Sequence, residues 1–289
     1  MKIVKILGGL GNQMFQYALF LSLKRGFPNE EIKVDLSCFN GYSKHNAYEL
    51  SNVFGINPPI ASNSELMRIA YPYLSYRGWQ IGSRILPKRK TMCIEKRNGE
   101  FDGSVLQHNG SMYYDGYWQD ERYFSSIREE ITEVFQPLFI DDRNKESCQY
   151  LSEGNSVAIH IRRGDYINNP VYKDICTPEY YINALKKLEK LTEIDTICII
   201  SNDIEWCKGN LNAMLAGRHV VYADWNKGKN SYLDISLMSH CSHNIIANSS
   251  FSWWGAWLNN NPNKIVIAPK KWNNIKDSAF HHPVSWVQI

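Results

Sequence analysis

The feature that most constrains this chain is a rhythm in its second half. Strand-length apolar runs at 157–161, 196–200, 219–222, 244–247 and 264–268 alternate with helix-like stretches at 178–191, 204–215, 231–239 and 251–258. A run such as Val157-Ala158-Ile159-His160-Ile161 is apolar on both faces, so both faces must be covered, and the amphipathic stretches between the runs supply the cover. A parallel sheet flanked by helices, a Rossmann-like domain, satisfies that pattern.

The first half opens on a strand at 2–7, a glycine turn, a helix at 12–25 and a second strand at 31–35. The signal then blurs through a region rich in Tyr, Arg and Gly, and recovers at a strand over 111–117 and a helix over 121–135. These elements predict a second, more elaborated α/β domain. At 289 residues the chain is long for one core and suits two. Pro137 and the charges up to Asn144 interrupt the periodicity, which places the domains at 1–140 and 141–289. The expected fold class is α/β, with two Rossmann-like domains facing a cleft.

Composition removes several functions. A net charge of +3 is too small for a bulk nucleic-acid binder, yet it does not oppose a small anionic ligand. The seven cysteines are odd in number, scattered and never spaced C-x-x-C, which predicts reduced thiols rather than a disulfide framework or zinc ribbon. His240, Cys241 and His243 share no helical face and read as a helix-to-strand junction rather than a metal site. Lys2 and Lys5 precede an apolar stretch reaching Leu23, but Asn12, Gln13 and Gln16 interrupt it as a signal peptide. No other window approaches the ~18 apolar residues of a membrane span, and a soluble cytoplasmic chain is expected.

Four polar junctions follow predicted strands. The turn Gly8-Gly9-Leu10-Gly11-Asn12-Gln13-Met14 lets backbone approach a ligand at a helix N-terminus. A dinucleotide site is one reading, with Asp35 at the end of the second strand as the ribose acid, but Met14 stands where that motif needs its third glycine. The block His160-Ile161-Arg162-Arg163-Gly164-Asp165-Tyr166 puts two guanidinium forks at a strand end, where open α/β sheets bind ligands and where phosphate oxygens are well matched. Ser201-Asn202-Asp203 serves as a helix cap, as a carboxylate for a purine edge, or as both. Asn248-Ser249-Ser250 opens a helix and offers hydroxyls and free N–H groups to a phosphate.

Gly116-Tyr117-Trp118-Gln119-Asp120 sets aromatic faces beside polar groups, which suits a sugar. Trp253, Trp254 and Trp257 wrap a short helix and read as packing. There is no Asp-x-Asp, no phosphate loop of the G-x-x-x-x-G-K-[ST] kind and no G-x-S-x-G elbow. Arginines, a helix end and hydroxyls would therefore hold a diphosphate without a metal.

With these residues in hand the chain resembles the bacterial α-1,2-fucosyltransferases, a family that also includes the animal blood-group H enzymes. The likeness rests on GGLGNQMFQYA at 8–18, the 116–119 and 160–166 blocks, the 201–203 corner and NSSFSWWGAWL at 248–258. It implies a glycosyltransferase of the B type that takes fucose from GDP-β-L-fucose to the 2-hydroxyl of a terminal galactose. Inversion to an α linkage is implied, with no cofactor and no metal. Carried over residue by residue, Arg162 matches the arginine on the donor diphosphate and the catalytic role, with His160, Arg163 and Asp165 beside it. Asp203 matches the acid near guanine, while Asn202 departs from the commoner Asp-Asp pair, so which side chain reads the base stays open. Ser249, Ser250 and Ser252 match groups near the phosphates.

Residues 141–289 would then bind the donor and 1–140 the acceptor. Gly9, Gly11, Asn12 and Gln13 would face the donor across the cleft, and Tyr117, Trp118 and Gln119 would meet the acceptor. Asp120, Glu121, Asp115 and Asp35 are the open choices for a general base. The rivals are a non-catalytic carbohydrate- or nucleotide-binding protein of the same fold and an NAD-dependent oxidoreductase. A bacterial cytoplasmic enzyme acting on surface-glycan precursors at the membrane face is expected, with peripheral membrane contact and no nucleic-acid partner.

Overall fold

Strand β1 (Lys2–Lys5) is buried at all four positions, so its two lysines must find partners inside the protein. Lys2 Nζ donates to Glu30 at 3.1 Å and to the carbonyls of His108 and Gly110 at 2.7 and 3.0 Å, and lies 3.9 Å over the Phe27 ring. Lys5 pairs with Asp115. With β2 (Ile32–Asp35), β3 (Met92–Ile94) and β4 (Met112–Asp115), β1 makes a parallel sheet in the order β2-β1-β4-β3. Helices α1 (Leu10–Gly26), α2 (Leu50–Phe54), α3 (Asn63–Ile69), α4 (Tyr76–Ile85) and α5 (Arg128–Val134) complete this unit.

The computed structural model describes all 289 residues, in two compact units. The first is Met1–Leu138 with Ala279–His281, the second Phe139–Ser278 with His282–Ile289. The return of the chain at 279–281 had no sequence signal; the Ala279 N–H donates to the Asn98 carbonyl at 2.8 Å.

The second unit follows the rhythm of its sequence. After α6 (Asp142–Glu153) comes β5 (Ser156–Ile161), buried at every position, then α7 (Pro178–Glu189), β6 (Thr196–Ser201), α8 (Ile204–Asn210), α9 (Asn212–Leu215) and β7 (His219–Ala223). Next are α10 (Leu233–His240), β8 (His243–Ile245), α11 (Ser250–Trp257), β9 (Val266–Ala268) and β10 (Val287–Gln288). All pairings are parallel, in the order β10-β9-β8-β5-β6-β7. Val157, Ile159, Ile197 and Ile199 meet Tyr181, Leu185 and Leu188 of α7 in one apolar cluster. Thr177 caps α7 by accepting from the Tyr180 N–H, and Pro178 occupies the first turn, where no N–H is needed. The three tryptophans of α11 are buried and packed on one another, Trp253 and Trp254 edge to face at 5.1 Å.

Several expected elements differ. The helix expected over 121–135 is two 3₁₀ turns, Glu121–Tyr123 and Ser125–Ile127, followed by α5, because Asp120 caps the Arg122 N–H and Phe124 leaves helical geometry. The helix expected over 204–215 divides at Leu211, after Gly209 and Asn210, both weak helix formers. Strand β1 stops at Lys5 rather than residue 7, and the Leu7 N–H turns to the Gln16 side chain at 2.9 Å. Within the blurred region β3 is a three-residue edge strand, too short to announce itself.

In both sheets the order of strand addition reverses at one place. In the first unit β2 lies on one side of β1 and β4 on the other; in the second, β6 and β8 flank β5. The crevices above β1/β4 and β5/β8, at the carboxyl ends, are the topological switch points where such sheets bind ligands.

Candidate functional site

In the second unit the chain leaves β5 directly into His160 to Tyr166. His160 is 4% exposed and its ring lies 5.8 Å from that of Phe251 in the first turn of α11. Burial, with the Arg162 charge adding to it, pushes the imidazole down to about 3, so it is neutral at physiological pH. Arg162 donates to Asp165 at 2.7 Å, and its guanidinium carbon is 5.5 Å from the centre of the Tyr166 ring. Arg162 Nε and His160 Nδ1 are buried without a hydrogen-bond partner. Buried polar atoms are rarely left so, and these two lie beside the switch point.

Tyr166 stacks on Tyr172 at 4.7 Å, and its hydroxyl lies near Ser249, the N-cap residue of α11. Asn248 donates to the carbonyls of Tyr172 and Trp272 at 3.3 and 3.1 Å, which fixes the approach to that helix. The structure thus brings His160, Arg162, Asp165, Tyr166, Ser249 and the first turn of α11, with Ser250, to one place.

Arg163 is turned to a different task. Its Nε donates to Asp203 at 3.1 Å, its guanidinium lies 3.7 Å over Trp206, and its backbone N–H donates to Asn202 Oδ1 at 2.9 Å. Asp203 also caps α8 through the Trp206 N–H at 3.2 Å, so the capping reading of that corner holds and its other carboxylate oxygen is the one that accepts from Arg163. Gly164 has φ of +41°, and a β-carbon there would collide with the Asn202 amide, so the close approach of the two loops requires glycine. Ser252 is buried, with Oγ donating to the carbonyls of Ala247 and Ser249, which makes it a turn-closing residue rather than a ligand contact.

In the first unit the glycine turn is built as expected, with Gly8 at φ +106° and α1 starting at Leu10, two residues early. Gln13 is not exposed to a ligand. Its amide is spent on the carbonyls of Gly8 and Ala47, and its oxygen accepts the Glu49 N–H. Gly9 packs against the His45 ring, and Gly11 is buried in the first turn of α1. Two side-chain bonds tie this turn to the loop after β4: Gln16 to the Gly116 carbonyl at 2.9 Å and Gln119 to Asn12 at 2.7 Å. Asp35 is buried, accepts the Tyr113 hydroxyl at 2.7 Å and receives the Ser37 N–H, so it offers nothing to a ribose. Met14 fills the core behind it.

Trp118 corrects the sequence reading most clearly. It is 1% exposed, edge to face with Tyr114 and Tyr123, and presents no face to a sugar. Its φ is +56°, a left-handed conformation costly for a large side chain. Glu95 holds the loop there, accepting the N–H groups of Tyr117 and Trp118 at 2.6 and 2.8 Å. Burial raises the Glu95 carboxyl above its usual range, reinforced by nearby Asp115 and opposed by these N–H bonds.

The sugar-suited surface lies elsewhere on that edge. A cavity of about 490 Å³ is lined by Tyr71, Tyr73, Trp79, Ser83, Ile94 and Asp115, among others. Asp115, at the end of β4, is ion-paired with Lys5 at the end of β1; Trp79 Nε1 donates to Asp115 at 2.9 Å, and Lys5 Nζ lies 3.7 Å over the Trp79 ring. Of the four base choices Asp115 lines this cavity, although it too is buried and ion-paired, with Lys5; Asp120 is paired with Arg122 at 2.6 Å and Asp35 is buried. Glu121 follows Asp120 in the first 3₁₀ turn. Lys5, Trp79 and Glu95 were missed from the sequence; only Lys5 left a signal, as a charge closing a buried strand.

Residues 95–288 match the family model described as Glycosyl transferase family 11. The chain is 35% identical to an α-1,2-colitosyltransferase of Escherichia coli, covering 99% of this chain and 98% of that protein. It is 26% identical to the galactoside α-(1,2)-fucosyltransferase 2 of Mus musculus, covering 88% of this chain and 67% of that one. Among solved structures, fucosyltransferase NodZ from Bradyrhizobium has a TM-score of 0.51 at 12% identity, over 88% of this chain and 91% of that chain. That likeness concerns fold, and the two parallel α/β units have the glycosyltransferase B architecture.

Proposed function

Because the chain belongs to glycosyl transferase family 11, we propose that it transfers L-fucose from GDP-β-L-fucose to the 2-hydroxyl of a terminal galactose, with inversion to an α linkage and without a metal. The observation that carries this reading is Arg162. It stands at the second sheet's switch point with a buried, unpartnered Nε, beside neutral His160 and the start of α11. A departing diphosphate gains negative charge in the transition state, and preorganised donors aimed at it lower the barrier most. In this reading Arg162 and the N–H groups opening α11 hold the diphosphate, and the Arg163–Asp203 pair with Asn202 and Trp206 shapes the wall for the base.

A β-linked donor and an α-linked product require one displacement with oxocarbenium character. The acceptor sits in the first unit's aromatic cavity, where C–H faces of a sugar meet Tyr71, Tyr73 and Trp79, and Asp115 accepts a hydroxyl. As the acceptor oxygen attacks, Asp115 in this reading takes its proton, a contribution of about 10² to 10⁴ in rate. The likeness to a colitosyltransferase supports a second donor, since colitose is fucose without its 3-hydroxyl.

The test is Arg162→Lys, which keeps the charge and loses the fork. Turnover should fall about 10²-fold or more with the fold intact; near-normal turnover would remove Arg162 from the diphosphate.

A further inference from the structure

The net charge of +3 conceals a strongly uneven distribution. Residues 76–97 hold seven basic side chains, Arg77, Arg84, Lys88, Arg89, Lys90, Lys96 and Arg97, against the single acid Glu95, a net of +6. The rest of the chain therefore sums to −3. All seven except Arg89 are exposed, and α4 itself contains no acidic residue.

The same segment bares aliphatic surface. Ile81 and Ile85, one turn apart on α4, are 51% and 72% exposed, and Leu86 follows at 40%. Residues 77, 81, 84 and 85 fall on one helical stripe, so two isoleucines share a face with two arginines. The rest of α4 is anchored: Trp79 bonds to Asp115, Gly82 packs against the Tyr73 ring, and Ser75 caps the start. Single exposed apolar residues are ordinary on a protein surface, but a paired aliphatic ridge rimmed by arginine and lysine is the composition of a helix lying in a membrane interface. Long basic side chains can reach headgroup phosphates while the ridge enters the acyl boundary.

We propose that α4 and the basic run after it dock the first unit on an anionic lipid surface. Charge complementarity selects the occupant. Each basic side chain near such a surface strengthens partitioning about fivefold, so Arg77, Arg84, Lys88 and Lys90 together supply roughly several hundredfold. Aliphatic side chains at the centre of the patch distinguish lipid from nucleic acid, whose exposed bases are met by aromatic faces. No helix is long and apolar enough to cross a membrane, so docking would be peripheral. The proposal does not depend on the donor or acceptor assigned above. One consequence links them, because Trp79, Ser83 and Leu86 of this segment also line the acceptor cavity and would open it close to the lipid surface.

The experiment is co-sedimentation of the full chain with vesicles of phosphatidylcholine alone or doped with phosphatidylglycerol. Binding to the anionic vesicles should be at least about tenfold tighter and should weaken with salt. Ile81→Ser with Ile85→Ser should reduce it several-fold, and separately Arg84→Gln with Lys90→Gln should reduce it about 25-fold. Neither pair lines the cavity, so melting temperature and turnover on a water-soluble galactoside should stay unchanged. Equal binding to both vesicle types, binding insensitive to both pairs, or binding to a single-stranded oligonucleotide as tight as to the anionic vesicles would each overturn the proposal.

Discussion

A histidine buried beside an arginine is a poor acid, and His160 shows why that would suit the proposed donor site. Held neutral down to a pH of about 3, it adds no second positive charge to repel Arg162 and leaves Nδ1 as a polar atom of fixed charge. Another buried group titrates much closer to physiological pH. Asp234 accepts from Asn226 at 2.8 Å within a network that includes Asn144, and burial, opposed by that bond, raises its carboxyl to about 7. The unfolded chain releases this proton near 3.9. Between there and about 7 the folded state alone keeps it, so the contribution of Asp234 is fully present below that window and is lost as pH rises through it. His160 acts in the opposite sense below 6.5, so the two must be separated by mutation. Asp234→Asn should make urea stability fall less, or rise, over that pH range relative to the parent; parallel profiles would contradict the shift.

At the scale of elements, the strand-to-loop junctions differ in how openly they are written. The 160–166 loop was legible because arginines and a glycine break off abruptly from a strand apolar on both faces. The 116–119 loop was legible as a loop after a strand but not as a geometry. Its conformation is set by Glu95, 22 residues before Tyr117 and just beyond a three-residue edge strand, and no local pattern couples the two. Hence Trp118 was read as outward-facing when the left-handed backbone turns it into the core. Glu95→Gln tests that coupling. An amide has one acceptor oxygen in place of two, and losing a charge-assisted bond costs about 1.5 to 3 kcal/mol. Melting temperature should drop by roughly 3 to 10 °C, with a higher acceptor KM. Unchanged values of both would mean that the loop holds its strained form unaided.

For the whole molecule, the second unit was readable almost strand by strand because burial on both faces enforces apolar runs. The first was not. Its sheet is small, its strand β1 carries two buried lysines, and its cavity is assembled from aromatic residues that share no spacing. The chain's modest total charge also hid its basic segment, since summation erases position. What the sequence made clear is the cluster of polar residues at one sheet's carboxyl edge; what only the structure supplied is the aromatic cavity of the first unit.

Transfer of fucose to galactose O2 with inversion is the proposed reaction. It is tested most directly by incubating the protein with a terminal galactoside, EDTA, and equimolar GDP-fucose and GDP-colitose, then assigning donor, linkage and anomer in the product by NMR. α-1,2-linked fucose is expected as the main product, formed in the presence of EDTA. A product dominated by colitose would reassign the donor, and a linkage other than α-1,2 would contradict the account.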